Sequence, residues 1–441
     1  VASLDDLRRR HASLSDDIAR AEAAIAAVRA SRTWRLLRAL DGWRFDASSV
    51  IGRLRGRAAR LRRHGPRGVS RLVRARPLGV NVAGYLSAES GMGEAARASL
   101  RSLGAAGVPV ALNYVRSGTQ RERDDSHSTF TNDNPHPFNL VHLNCDNMAA
   151  FWRDRGRGYF AGRYTIGFWF WELARFRAEW MSTFRYVDEV WVASGFGRDA
   201  LVPHAPVPVT RIPLPVAVPE VTPIDRGELG LPADATAFLF VFDVSSQFER
   251  KNPIGVLRAF REARLGRRAV LVLKVTNAGF DEDAMARLRA ESEGLPVILV
   301  EGHWDRPRVN GLLAACDCYV SLHRAEGFGL TLAEAMALGK PVIGTAYSGN
   351  LDFMTDENSY LVPYSTVELA RDHGPYPAGF EWAEPDLAHA ARLMRQVTDD
   401  PVRARAVGAR AAADMVATRN PSATGAVVRA RLEAIRGGRD T

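Results

Sequence analysis

Residues 318–345 read Cys-Tyr-Val-Ser-Leu-His-Arg-Ala-Glu-Gly-Phe-Gly-Leu-Thr-Leu-Ala-Glu-Ala-Met-Ala-Leu-Gly-Lys-Pro-Val-Ile-Gly-Thr. The apolar run Tyr319 to Leu322 predicts a buried strand. A loop punctuated by Gly327 and Gly329 follows, Thr331 to Leu338 predicts a helix stopped by Gly339, and Pro341 to Ile343 starts another strand. Strand, loop, helix and strand in that order are the unit of an α/β fold. Two carboxylates flank its turn, Glu326 at the carboxyl end of the first strand and Glu334 about one turn into the helix. In open α/β sheets ligands bind outside the carboxyl ends of the strands, and a helix start preceded by glycines offers free backbone N–H groups to an anion. Carboxylates beside an anion site suit hydroxyl groups, so the pattern points to a sugar joined to a phosphate.

Glu326-Gly327-Phe328-Gly329-Leu330, then Glu334 and its flanks Ala335-Met336-Ala337 and Gly339-Lys340-Pro341-Val342, resemble the Glu-x7-Glu signature of one family. These are the group 1, retaining, nucleotide-sugar-dependent glycosyltransferases of the two-domain GT-B fold. Thr331-x-x-Glu334 also fits a helix capping box, which would make Glu334 structural, and Glu326 alone could be a solvated loop residue.

The chain has 441 residues, 46% of them hydrophobic, which predicts globular domains rather than a disordered polymer. No apolar run reaches membrane-spanning length and the first residues do not form a signal peptide, so neither secretion nor a membrane span is expected. The Val at position 1 reads as a trimmed start. Cys145, Cys316 and Cys318 lack the companions of a zinc site or a disulfide framework and read as small buried hydrophobes in a reducing cytoplasm.

The net charge of +9 is unevenly placed: residues 31–76 hold fourteen Arg against Asp41 and Asp46, which leaves the rest of the chain slightly negative. A basic catalytic body is thereby excluded. Leu4, Leu7, His11, Leu14, Ile18, Ala21, Ile25 and Val28 form a heptad seam, so residues 1–30 predict a coiled-coil helix with a partner along 4–28. In the Arg-rich stretch 31–77, Trp34, Leu37 and Leu40 could share one helix face, as in an interfacial helix drawn to anionic lipid. A solvated linker helix explains it equally. Nucleic acid is disfavoured, because no nucleic-acid-binding fold or regular aromatic interleaving accompanies the charge.

Strands are predicted at Val80–Tyr85, Val108–Asn113, Phe138–Leu143, Tyr164–Phe170 and Asp188–Ala193, with Gly91-Met92-Gly93 opening a helix that runs to about Ala106. Gly91 and Gly93 are a weak phosphate signal by themselves. The resemblance implies that this first loop closes over the donor diphosphate. Glu172 follows the fourth strand beneath Trp171, placed to orient sugar hydroxyls or to act as a base with a raised pKa; a local cap or ion pair is the competing reading. Relatives carry His or Asp facing the acceptor at that strand end, and this chain departs from them. Seven prolines between 203 and 223 predict a stiff connection between domains.

In the second half, Ala237–Val241 starts a strand that leads into Asp243-Val-Ser245-Ser246-Gln-Phe-Glu-Arg250-Lys251-Asn252-Pro253. Cations fixed at such a turn can neutralise a diphosphate leaving group. Lys251 matches the family's lysine; its usual upstream arginine is replaced by Ser245 and Ser246, so Arg250 substitutes or the serines bond the phosphate as neutral donors. The resemblance also implies nucleobase contacts along Glu301–Asp305 and phosphate contacts at Ser348-Gly349-Asn350, where a plain turn is the alternative. Trp382 to Asp386 is expected to start a run of helices, with Asn420-Pro421 opening the last.

The expectation is therefore two doubly wound, Rossmann-like parallel-sheet domains, an acceptor-side one at 78–215 and a donor-binding one at 216–405. Helices at 406–441 would return to the first domain. The resemblance implies a metal-independent hexosyltransferase, retaining the anomeric configuration, without a cofactor beyond its nucleotide-sugar co-substrate. Glu326 would fix the sugar hydroxyls, Glu334 the ribose, and Lys251 with Arg250 the leaving diphosphate. A glycan or lipid-linked acceptor in polysaccharide biosynthesis, met at the inner face of a membrane, is the expected setting. Two other classes stay open: a non-catalytic nucleotide-sugar or glycan-binding subunit of an assembly complex, and a nucleotide-sugar epimerase.

Overall fold

The computed structural model describes Arg20, Val73 and residues 75–438 apart from Thr119 and Pro219. The coiled-coil seam and nearly all of the Arg-rich stretch lie outside the described residues.

The first unit begins with β1 (Val80–Gly84), α1 (Gly91–Ala105), β2 (Val110–Tyr114), β3 (Phe138–His142), α2 (Met148–Phe160) and β4 (Tyr164–Phe168). It ends with β5 (Glu189–Val192), α3 (Gly195–Leu201) and β6 (Val209–Arg211). Its strands form a parallel sheet in the order β2-β1-β3-β4-β5-β6. The second unit contains β7 (Thr236–Asp243), α4 (Phe248–Lys251), α5 (Pro253–Ala263), β8 (Ala269–Thr276), α6 (Glu282–Ser292), β9 (Val297–Glu301) and α7 (Arg306–Ala315). It continues with β10 (Cys318–Ser321), α8 (Leu330–Ala337), β11 (Val342–Thr345) and β12 (Tyr360–Val362), in a parallel sheet ordered β12-β11-β10-β7-β8-β9. Each order reverses beside its first strand, which opens the crevice where such sheets bind ligands.

Central strands such as Val80–Gly84 and Tyr164–Phe168 are buried at every position, because helices cover both faces of a parallel sheet. All three cysteines are free and buried. No helix among the described residues is long and apolar enough to cross a membrane.

Three local expectations are corrected. The proline-rich stretch is not wholly a linker, since Val209–Arg211 pairs with Val190–Val192 as the sixth strand of the first sheet. At a sheet edge, the missing N–H of a flanking proline leaves no central ladder bond unmade. Trp382 begins no helix: it lies in β14 (Glu381–Pro385), paired antiparallel with β13 (Tyr364–Glu368), and the helices start after Asp386, whose side chain caps His389 N. The aromatic strand ends at Phe168, two residues early, because the Phe170 N–H turns away to the Asn144 side chain at 2.8 Å.

The last helices, α9 (Leu387–Asp399), α10 (Pro401–Arg419) and α11 (Pro421–Gly437), carry the chain back across the first unit. Helix α11 packs on α1, where a Cβ on Gly425 would lie 2.5 Å from the Ser102 carbonyl and Ser102 bonds Thr424 at 2.7 Å. Arg431 of α11 forms a buried two-bond pair with Glu189 of β5 at 2.8 and 2.7 Å.

Candidate functional site

Glu326 stands at the carboxyl end of β10, where the sheet order reverses toward β7. Its backbone is held from both sides: its N–H donates to Ser348 Oγ at 2.8 Å, and its carbonyl accepts from Gly349 N at 2.9 Å. Ser348 adopts φ 76°, a left-handed value that a serine holds only under constraint from its surroundings. Gly349 is required sterically, since a Cβ there would meet the Gly327 carbonyl at 2.2 Å. Asn350 is buried and ties the same turn to Thr345 O at 2.9 Å and to His323 Nε2 at 3.1 Å. Ser348-Gly349-Asn350 is thus a brace beneath the glycine loop.

Lys251 Nζ donates to Glu326 Oε1, and Arg250 Nη1 approaches the same oxygen at 3.3 Å. Burial would raise the Glu326 carboxyl, but Lys251 and then Arg250 outweigh it and hold the group down at about 2. Burial depresses the Lys251 ammonium, an effect Glu326 opposes. Arg250 is itself buried and also donates to Ala325 O at 2.8 Å and Ser246 O at 3.0 Å. Its guanidinium is fixed behind Glu326. The cations reach this point because Asn252, at φ 56°, ends α4 and caps α5 through Gly255 N, while its amide donates to Leu322 O at 2.8 Å.

Ser245 does not face outward as a free donor: its hydroxyl and its N–H both bond Asp243, at 2.7 and 2.8 Å, in a turn that Asn277 also joins. Ser246 meets Arg250 through its backbone carbonyl.

Phe328 is buried against Phe353, and Gly329, at φ 88°, precedes Leu330, the first residue of α8. The capping-box alternative for Glu334 is not formed. Gly329 is the N-cap and gives no side-chain bond, and Thr331 Oγ1 bonds Tyr319 OH at 2.8 Å instead. Glu334 is buried; one carboxylate oxygen contacts Arg306 and the other, Oε2, has no partner.

The first unit supplies the opposite wall. Ser194 Oγ donates to Gly327 O at 2.9 Å, and Gly195 N donates to Asp352 Oδ1 at 2.9 Å. A Cβ on Gly327 would lie 3.3 Å from Phe170 and 3.7 Å from a Glu172 oxygen, so Glu172 stands beside the glycine loop. Gly91 and Gly93 open α1, with Ser90 Oγ accepting from Gly93 N; a Cβ on Gly93 would meet Ala88 O at 2.2 Å.

Three residues at the site carry no signal that distinguishes them in the sequence. Tyr376, on the loop between β13 and β14, crosses from the second unit and donates its hydroxyl to Glu172 at 3.1 Å. Burial pushes that phenol well above its ordinary value, with Arg250 opposing and Glu172 adding to the rise. Arg306 is one arginine among many. His142, at the end of β3, is buried and stacked on Phe168 at 4.7 Å, neither ring nitrogen has a hydrogen-bond partner, and burial lowers it to about 3. No group of His, Cys, Asp and Glu that could hold a metal occurs among the described residues; in Asp281-Glu-Asp283 the first carboxylate caps α6 at Ala284 N.

Residues 223–373 match the family described as glycosyl transferases group 1. Over that segment, about a third of its length, the chain resembles the group 1 glycosyltransferases. Among curated proteins it is 36% identical over 98 residues to the GtfA subunit of a UDP-N-acetylglucosamine–peptide N-acetylglucosaminyltransferase from Streptococcus gordonii, covering 22% of this chain and 19% of that protein. It is 29% identical over 196 residues to the D-inositol 3-phosphate glycosyltransferase of Kineococcus radiotolerans, covering 42% of each. These matches span less than half the length of either relative. Among solved structures, sucrose-phosphate synthase from Thermosynechococcus elongatus superposes with a TM-score of 0.61 at 17% identity, over 82% of this chain and 100% of that one. HepE from Anabaena, in complex with UDP-glucose, gives 0.61 at 14% identity over 81% and 100%. The two parallel six-stranded sheets are therefore GT-B-like.

Proposed function

We propose that this protein transfers a hexosyl group from a nucleoside diphosphate sugar to an acceptor hydroxyl, retaining the anomeric configuration, without a metal ion, in the making of a polysaccharide or another glycan. The observation that carries the reading is the meeting of Glu326 with Lys251 and Arg250 at the switch point of the second sheet, with Glu334 on the helix that follows. HepE, which has the same fold, holds UDP-glucose in its own structure.

Breaking the bond from C1 to the phosphate builds negative charge on the diphosphate and positive character on the ring. Lys251 holds Glu326 through its ammonium and can share that ammonium between Glu326 and the leaving diphosphate. Arg250, fixed from behind, keeps Glu326 ionised as an acceptor for sugar hydroxyls. Backbone N–H groups after Gly327 and Gly329, at the start of α8, face the same charge. Gly349 and Asn350 support that loop from below, and the Gly91–Gly93 turn of the first unit is assigned to close over the donor diphosphate. Glu334 is assigned to the ribose through its unpartnered oxygen. Glu172, oriented by Tyr376, is assigned to the acceptor hydroxyl. No residue is assigned as a covalent nucleophile, because front-face attack needs none, in contrast to the paired carboxylates of retaining glycosidases.

The test is thermal unfolding of the chain with UDP, GDP, ADP, dTDP and their sugar conjugates. A ligand at one hundred times its dissociation constant adds about 2.7 kcal/mol, enough for a clear rise in melting temperature. One base is expected to stand out, and its sugar conjugate to be turned over when acceptors are supplied. No shift with any of them overturns the donor reading. A shift without transfer or slow hydrolysis would assign the chain to the non-catalytic binding subunits, and isomerised sugar released without an acceptor would make it an epimerase.

A further inference from the structure

Of the carboxylates in the cleft, Glu334 has the more informative surroundings. Its Oε1 contacts the guanidinium of Arg306, while Oε2 is buried and has no partner. Arg306 is the first residue of α7, directly after the loop that follows β9, and Asp305 fixes that helix start by accepting from Arg308 N at 2.8 Å. The Arg306 side chain is 42% exposed against 8% for Glu334, so of the two the arginine has the freer path away from the contact.

On its other side Arg306 lies within electrostatic reach of the first unit: Glu94, Arg97 and Arg101 on α1, and Asp124. Glu94 is already paired with Arg97 and Arg101. Arg306 therefore contacts the ribose-side carboxylate and also feels the charges on the helix opened by Gly91 and Gly93.

We propose that Arg306 holds Glu334 where the ribose hydroxyls would bind, and becomes a ligand of the donor diphosphate when those hydroxyls take Glu334. The proposal rests on the donor reading above. A buried carboxylate with one free oxygen and one held by a displaceable cation can exchange that cation for a pair of hydroxyls. The released guanidinium, tethered at the start of α7, then faces a group with two negative charges, for which its planar fork is suited. Demand for such a cation exists in this chain. Ser245 is bonded to Asp243 and Arg250 is tied to the Ala325 and Ser246 carbonyls behind Glu326, which leaves Lys251, itself bonded to Glu326, as the cation of that turn with fewer ties.

The experiment is calorimetric titration of the full chain and of its Arg306→Ala and Arg306→Lys variants. The probes are UDP, GDP, ADP and dTDP and the four matching nucleosides, with the nucleosides measured by competition where binding is weak. For the base that the wild type prefers, Arg306→Ala is expected to weaken diphosphate binding by about tenfold or more, while the nucleoside binds as well as before or more tightly. Arg306→Lys should recover part of the diphosphate affinity. A parallel loss for nucleoside and diphosphate would overturn the proposal and leave Arg306 a support for Glu334. Unchanged or tighter diphosphate binding would overturn it as well, leaving Arg306 a mere obstacle. In both cases wild-type binding keeps the donor reading intact. If the wild type binds no diphosphate, the donor reading itself fails and the proposal falls with it. Melting of the variants without ligand identifies any that do not fold, and Arg306→Lys then carries the decision.

Discussion

At the scale of single residues, Glu326 is the group whose charge state the site is built to fix. Its folded carboxyl sits at about 2, below the ordinary 4.5, so its contribution to stability is complete above 4.5 and is lost as the pH falls from there toward 2. Urea unfolding between pH 3 and pH 5 should show a steeper loss of stability for the wild type than for Glu326→Gln; parallel curves would remove the ion pair with Lys251 as the cause. For the chemistry, Glu326→Ala and Lys251→Ala should each cost about 2.7–4 kcal/mol of transition-state stabilisation, as deletion of one preorganised charge-stabilising contact does. Turnover near wild type in both, measured with the donor found by melting, would sink the assignment of this pair. Glu326 was legible because the motif and its flanks mark it, and Lys251 because it stands where the family it resembles carries a lysine. Tyr376 was not: nothing in Gly374-Pro375-Tyr376-Pro377 says that its hydroxyl meets a carboxylate two hundred residues earlier.

At the scale of elements, the alternation of apolar runs with amphipathic helices locates strands and helices to within a residue or two, since burial on both faces leaves β1, β4, β7 and β8 little other composition. The failures have local causes. Val209–Arg211 is hidden among prolines and becomes a strand because an edge is available beside β5, and the strands β13 and β14 are largely exposed on one side and separated by a long loop rather than a tight turn. The turn at 348–350 reads in sequence as any serine-glycine-asparagine turn. Its close approach to Gly327 makes Gly349 irreplaceable: Gly349→Ala should push the 326–329 loop outward. We expect donor binding to weaken by about tenfold or more, with a loss of about 1–3 kcal/mol in stability, the usual cost of overpacking. Donor titration and urea unfolding of that variant check both, and an unchanged affinity would mean that the loop is not positioned from below.

At the scale of the whole molecule, the two sheets are joined by more than their connecting segment. The loop between β13 and β14 lays Tyr376 and Phe380 on the aromatic cluster of the first unit, with Tyr376 5.8 Å from Trp171 and Arg175 over the Phe380 ring at 4.2 Å. Helix α11 closes the far side through Arg431 and Glu189, and Glu189 also accepts from Tyr164, Trp191 and Thr210. Removing one partner of a buried pair strands the other charge, so Arg431→Ala should cost about 3–5 kcal/mol in unfolding free energy. A loss below about 1 kcal/mol would mean that α11 is not fixed by this pair.

The order of strands and helices, the glycine loop and the carboxylates at 326 and 334 follow from the sequence alone, because period, burial and turn chemistry are local properties written within a few residues. Tertiary structure decided what those groups meet. It turned Arg250 inward behind Glu326, bound Ser245 to Asp243, brought Tyr376 to Glu172 and set Arg306 on Glu334. Each of these contacts closes a loop whose ends are fixed by the packing of whole sheets and helices, and a side chain's partner at such a distance is set by where the backbone is carried, not by its neighbours in sequence.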